Sequence, residues 1–153
     1  MSLFGKLFGL RYDKGLTVMS YELIRMKLEK HPLFKDAYLS LKDGDYSLLE
    51  PSSLKEFVSD HAWVGNKKYK KEVFDCDDFA ACARGDFLKA GCGEGFSRSV
   101  FVAEICHYRP DGQYHAANLL MDSFGDLWFY EPQTGLMTKN LSDHIKHVTE
   151  VWG

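Results

Sequence analysis

No run of apolar residues in this 153-residue chain is long enough to cross a membrane. No segment joins a charged start, an apolar centre and a small-residue cleavage site, so the default expectation is the cytoplasm, with release from the cell left open. None of the four cysteines, Cys76, Cys82, Cys92 and Cys106, forms a CxxC pair, which argues against a structural zinc site. Cys82, Cys92 and Cys106 read as reduced packing residues. There is no excess of positive charge: 19 Lys and Arg stand against 22 Asp and Glu, so nucleic acid is not the expected partner. The basic run NKKYKK at 66–71 has no stacking aromatic set beside it and reads as a solvated loop. The glycines at 91–95 lack the lysine and preceding strand of a phosphate-binding loop and read as a connection. Internal repeats and low-complexity segments are also missing.

What remains suits one globular domain, with 45% hydrophobic and 14% aromatic residues over a length that supports a single core. Residues 1–10 (MSLFGKLFGL) are apolar and glycine-broken, and read as a chain end docked or frayed rather than a surface anchor, since the polar face is nearly empty. The spacing of Val18, Tyr21, Ile24 and Leu28 predicts a helix over 17–30, capped by Thr17 or Ser20 and ended by His31-Pro32. Residues 33–41 read as a second helix, 42–45 as a turn, and Leu54, Phe57 and Val58 as the inner stripe of a helix entered at Pro51. Another helix runs over 79–90 and stops at Gly91 and Gly93. Beyond it the pattern changes to strands over 99–108, 114–122, 127–131 and 147–152, separated by turns at 109–112 and 123–126. Helices first and an antiparallel sheet after give an α+β order.

The stretch Phe74-Asp75-Cys76-Asp77-Asp78-Phe79-Ala80 carries the chemistry. Asp75 is a good N-cap and Asp78 the acidic member of a capping box. Cys76 then sits in the first helical turn, where unpaired backbone N–H groups favour the thiolate, the nucleophilic form. A cysteine nucleophile needs a base and a group to orient it. A three-residue loop that pairs Asp122 with Asp126 sets His115 opposite Gln133. His115, Glu131 and Gln133 then share one face, with Glu131 diagonal to His115. Asp75, Asp77 and Asp78 repel a thiolate, and a divalent cation among their oxygens would cancel that repulsion.

FDCDDFA at 74–80, YHAANLL at 114–120 and WFYEPQTG at 128–135 resemble the C-terminal domain of the Marasmius oreades agglutinin, a papain-like family. More distantly the cysteine segment is similar to transglutaminase-like and NlpC/P60 cysteine hydrolases. The agglutinin resemblance covers roughly residues 45–153. It implies a papain-like single domain with a helical N-terminal half, and a peptidase with Cys76 as nucleophile, His115 as base and Glu131 as orienter. It also implies a dependence on calcium or manganese, for which Asp75, Asp77 and Asp78 are the candidate ligands, and no organic cofactor. A protein or peptide substrate follows. Residues 1–44 fall outside the resemblance and are expected to form an extension packed on the domain. The sugar-binding half of that agglutinin has no counterpart here, so glycan binding is not carried over. Lys70 stands where papain-like enzymes often place an oxyanion-hole glutamine; Trp63, Asn66 and Gln133 are the substitutes considered for oxyanion or supporting roles. The alternatives are acyl transfer or deamidation by the same residues, and a catalytically silent binding module on the same fold.

Overall fold

The computed structural model describes residues 12, 16–62 and 75–153. Within them the elements run β1 (Thr17–Ser20), α1 (Tyr21–Lys30), β2 (Tyr38–Ser40), β3 (Asp45–Leu48), α2 (Pro51–His61) and α3 (Cys76–Gly93). They continue with β4 (Val102–Tyr108), β5 (Tyr114–Met121), β6 (Leu127–Glu131), β7 (Leu136–Thr138) and β8 (His147–Trp152). Short 3-10 turns occupy Pro32–Phe34 and Leu141–Asp143. The α+β class holds, but the main sheet is mixed. Its order is β2-β8-β4-β5-β6-β7, and β2 lies parallel to β8 while every other pairing is antiparallel. A separate two-stranded ribbon pairs β1 with β3. None of the helices described is long and apolar enough to span a membrane.

Local chemistry accounts for most of these elements. Ser20 caps α1 by accepting from the Leu23 amide at 3.4 Å, and Pro32 prevents the helix from continuing. Thr17–Ser20 forms a strand rather than the helix start, because its backbone pairs with Asp45–Leu48. The segment 33–41 is likewise not a helix. It makes one 3-10 turn and then the edge strand β2, whose partner β8 lies more than a hundred residues later in the chain. At Gly91 a β-carbon would approach the Phe96 ring to 3.1 Å, so the end of α3 packs closely on the chain that leaves it.

The core has two parts, one on each face of the sheet. On one face Ile105, Ala117, Leu119 and Phe129 pack with Ile24 and Leu28 of α1, and with Phe34, Leu141 and Ile145. On the other, Val102, Leu120, Trp128 and Tyr130 pack with Leu54, Phe57 and Val58 of α2 and Ala83 and Phe87 of α3. Alternation along the strands decides which side chain goes where. Asn118, on the helical face, is fully buried and donates from Nδ2 to the Ala80 carbonyl of α3 at 2.9 Å, which fixes the helix over β5.

Candidate functional site

The hairpin joining β5 to β6 turns through Ser123, Phe124 and Gly125. The Asp122 amide donates to the Asp126 carbonyl at 3.0 Å, and the ladder runs Met121 with Leu127 through Asn118 with Tyr130. Gly125 takes φ of +80°, the left-handed conformation this turn needs. The register sets Glu131 diagonal to His115, and His115 Nε2 donates to Glu131 Oε2 at 2.6 Å. Glu131 Oε1 also accepts from the Gln133 amide at 3.2 Å, which ties the pair to the turn into β7. Both side chains are mostly buried.

Behind this pair stands His107, paired with His115 across the β4–β5 ladder, with ring centroids 5.5 Å apart and near-perpendicular planes. His107 also meets Phe129 edge-on at 5.8 Å. It is fully buried, and neither ring nitrogen has a hydrogen-bond partner among the described residues. Burial pushes its pKa down to about 4, the nearby His115 adds to that depression, and the ring is therefore neutral at physiological pH.

Cys76 begins α3. Asp75 caps the helix and exchanges hydrogen bonds with Asp78, whose Oδ2 accepts the Asp75 amide at 3.1 Å. The sulfur lies among the acids: one ligand atom from each of Asp75, Cys76 and Asp77 falls within 4.8 Å of the others. A hydrogen bond that the protonated Asp77 carboxyl donates to Asp75, together with burial, raises the Asp77 pKa. Asp75 and Asp77 are the carboxylates gathered at the sulfur, while Asp78 turns back to the Asp75 amide. Calcium takes six to eight oxygens, and two carboxylates fall short of that shell. Among the described residues no hydrogen bond joins Cys76 to His115. Alternation aligns His115 with Ala117 and Leu119, whereas α3 is held on the face of Ala116 and Asn118. The structure therefore brings His115, Glu131 and the Gln133 backbone together, and does not hydrogen-bond the sulfur to them. Trp63 and Asn66 lie outside the described residues.

The helical face of the sheet holds a feature that the sequence reading missed. α3 starts near Cys76 and covers only part of this face, and the rest of β2, β8, β4 and the start of β5 carries exposed aromatic rings. Tyr38 and Trp152 lie 5.4 Å apart. Tyr108 lies 5.1 Å from Tyr114 and stacks on His147 at 4.9 Å. Tyr38 and Tyr114 are more than half exposed, and Trp152 and Tyr108 more than a third. Polar groups stand between the rings. The Tyr114 and Thr149 hydroxyls are 3.0 Å apart, Thr149 also donates to the Cys106 carbonyl at 3.0 Å, and Glu150 accepts from the Trp152 indole at 3.0 Å. Cys106 sits on this face too, and burial raises its pKa. The one sequence signal was the pair of tyrosines flanking the 109–112 turn. Tyr38 was hidden by reading its segment as a helix.

No family model and no curated protein matches this chain. Solved structures do. One, PSL1a in complex with E64, superposes with a TM-score of 0.73 at 25% identity over 89% of this chain. Another, the Polyporus squamosus lectin bound to the human-type influenza-binding epitope Neu5Acα2-6Galβ1-4GlcNAc, gives a TM-score of 0.71 at 22% identity over 89% of this chain. This chain spans about half the length of each (50% and 49%). These relatives are lectins, and that corrects the expectation of a cysteine hydrolase acting on peptides. The register agrees with that correction, since His115 shares the strand face of Ala117 and Leu119, opposite the face that α3 covers.

Proposed function

We propose that this chain is a non-catalytic carbohydrate-binding module on the α+β fold. The likeness to lectin chains over 89% of its length supports this reading, and it is the observation that carries it. The aromatic half-face supplies the chemistry. Sugar rings present flat C–H faces that pack on exposed aromatic rings, and hydroxyl rims that hydrogen-bond to neighbouring polar groups. Tyr38, Trp152, Tyr108 and Tyr114 offer the rings, and Thr149 and Glu150 offer the polar partners. Exposed aromatic rings gathered on one face of a small protein usually mark a binding surface.

Titration with the sialylated trisaccharide and with unrelated oligosaccharides, followed by calorimetry or by NMR shifts, tests the reading. Binding should appear, and Trp152→Ala should weaken it at least tenfold while thermal stability changes little, since Trp152 is well exposed. Loss of binding in no variant, or cleavage of a peptide by the purified chain that Cys76→Ala abolishes, would overturn it.

A further inference from the structure

Resting on the binding-module reading, we propose that the Tyr38–Trp152 end of the aromatic half-face takes a positively charged amino sugar, a glucosamine-type unit whose ammonium sits among the two rings, Glu104 and Glu150. The ladder gathers these four side chains. Glu104 of β4 stands opposite Trp152 of β8, and Glu150 of β8 stands opposite Tyr38 of β2. Residues paired across a ladder share a face, as do those two apart along a strand. Glu104 is also paired with Asn118, which reaches the Ala80 carbonyl of α3, so all four project from the face that α3 covers only in part. The two rings lie 5.4 Å apart with planes tilted by 56°, and they are 59% and 39% exposed. Both glutamates are half-buried. Glu150 Oε2 accepts from the Trp152 indole at 3.0 Å, which fixes its carboxylate beside the ring.

The charge at this end is one-sided. Among the described residues, the ion pair made by these two glutamates joins Glu104 to Arg84 of α3, and it is long at 3.9 Å. Burial raises the Glu104 pKa, Arg84 acts against that rise, and the Asp77 charge at the start of α3 adds to it. The same excess of negative charge reaches along the face, where Glu150 adds to the rise that burial gives Cys106 and Tyr114. His147 stacks on Tyr108 at the other end of β4, away from Glu104. Aromatic faces carry negative potential of their own and attract a cation within about 6 Å of the ring centre, Trp most strongly. Two such faces and two carboxylates complement an ammonium and repel a carboxylate. A glucosamine unit joins an ammonium to a flat C–H face, so the same rings stack the sugar and hold its charge.

The test titrates the full chain by calorimetry with tetramers of glucosamine, N-acetylglucosamine and glucose, and with tetralysine, in EDTA and at mildly acidic pH, where the amines are charged. The glucosamine tetramer should bind about tenfold more tightly than the two neutral tetramers. Added salt should weaken that binding and leave the neutral tetramers unaffected. Glu104→Gln and Glu150→Gln keep the side-chain shape and remove the charge. Each should cut affinity for the glucosamine tetramer by about two- to fivefold, with the neutral tetramers and the melting temperature unchanged. Equal affinity for charged and neutral tetramers, or a loss in the variants that all the tetramers share, would overturn this inference while leaving the module reading intact. Tighter binding of tetralysine than of the glucosamine tetramer would assign the face to a basic peptide and overturn it as well. Absence of binding by every sugar, the sialylated trisaccharide included, would sink both.

Discussion

The two ends of β5 bury polar groups in opposite ways. At its C-terminal end Asp122 is fully buried and surrounded by donors. The amides of Phe124 and Asp126 donate to Oδ1 at 3.0 Å each, and the Trp128 indole donates to Oδ2 at 2.9 Å. Lys139 adds an ion pair at 3.0 Å. Burial alone would raise the Asp122 pKa, yet the indole, Lys139 and the Asp126 amide together bring it below the usual carboxylate range. Beside the other end, across the ladder from His115, His107 of β4 is equally buried, and its ring nitrogens make no hydrogen bond among the described residues. A charge can be buried only if donors surround it, whereas a neutral ring can be buried dry provided it never has to ionise.

The sharpest way to break this contrast is to remove the carboxylate. Asp122→Ala leaves the indole, two turn amides and an ammonium facing a gap, and should destabilise the fold by about 3–5 kcal/mol. Urea unfolding at neutral pH measures it. The substitution should also loosen the 123–125 turn, since Asp122 holds both of its ends. Asp122→Asn keeps one oxygen for the amides and should cost less. If Asp122→Ala unfolds at the same urea concentration as the parent, the donor set is not what stabilises this turn.

The His107 end should fail by pH. Its folded pKa of about 4 lies below the ordinary histidine value, so the unfolded chain binds the proton more readily. His107 therefore costs nothing above about pH 6.5, and stability falls as pH drops from there toward 4. A shift of that size corresponds to on the order of 3 kcal/mol at the low end. His107→Phe keeps a ring against Phe129 and removes the titration. The parent should lose stability between pH 7.5 and 4.5 that the variant retains, and parallel losses in the two proteins would remove His107 as the source. The Asp122 effect has the other placement: its depressed pKa keeps its contribution intact until pH falls below about 4.

Much of the local architecture was legible. The Asp122–Asp126 pairing followed from a three-residue loop and a period of two, and it carried His115 to Glu131 without any structural input. The cap at Asp75 was equally readable, because an acid three residues after an N-cap has one dominant use. What escaped depended on distant partners. The segment around Tyr38 has apolar spacing that suits a helix, and only β8 makes it a strand. The burial of Asp122 depends on Trp128 and Lys139 converging on it, which alternation within one strand does not reveal. Function was the least legible part. The helix and strands that carry Cys76, His115 and Glu131 were readable, but the open aromatic half-face arises only where four strands from both ends of the sequence come together.

The smallest expected effect lies in the pair that links the dry histidine to the surface. Glu131 serves two partners, His115 through Oε2 and the Gln133 amide through Oε1. Glu131→Ala removes both and should cost about 1–2 kcal/mol, the range of a hydrogen bond or two made to a charged acceptor in a partly buried setting. Glu131→Gln keeps a carbonyl for the turn and should cost less than half of that. The two residues touch, so their effects should not add. A double-mutant cycle with His115→Ala should give a coupling of about 1 kcal/mol, and additive losses would mean that the 2.6 Å contact contributes nothing beyond its separate halves. His115 also packs against the dry His107 ring, so the His115→Ala member of the cycle carries a second readout. It removes a neighbour that opposes protonation of His107, so the folded pKa of His107 should rise toward the ordinary value and the acid loss attributed to it should shrink; an undiminished loss would mean that His115 does not act on the ring.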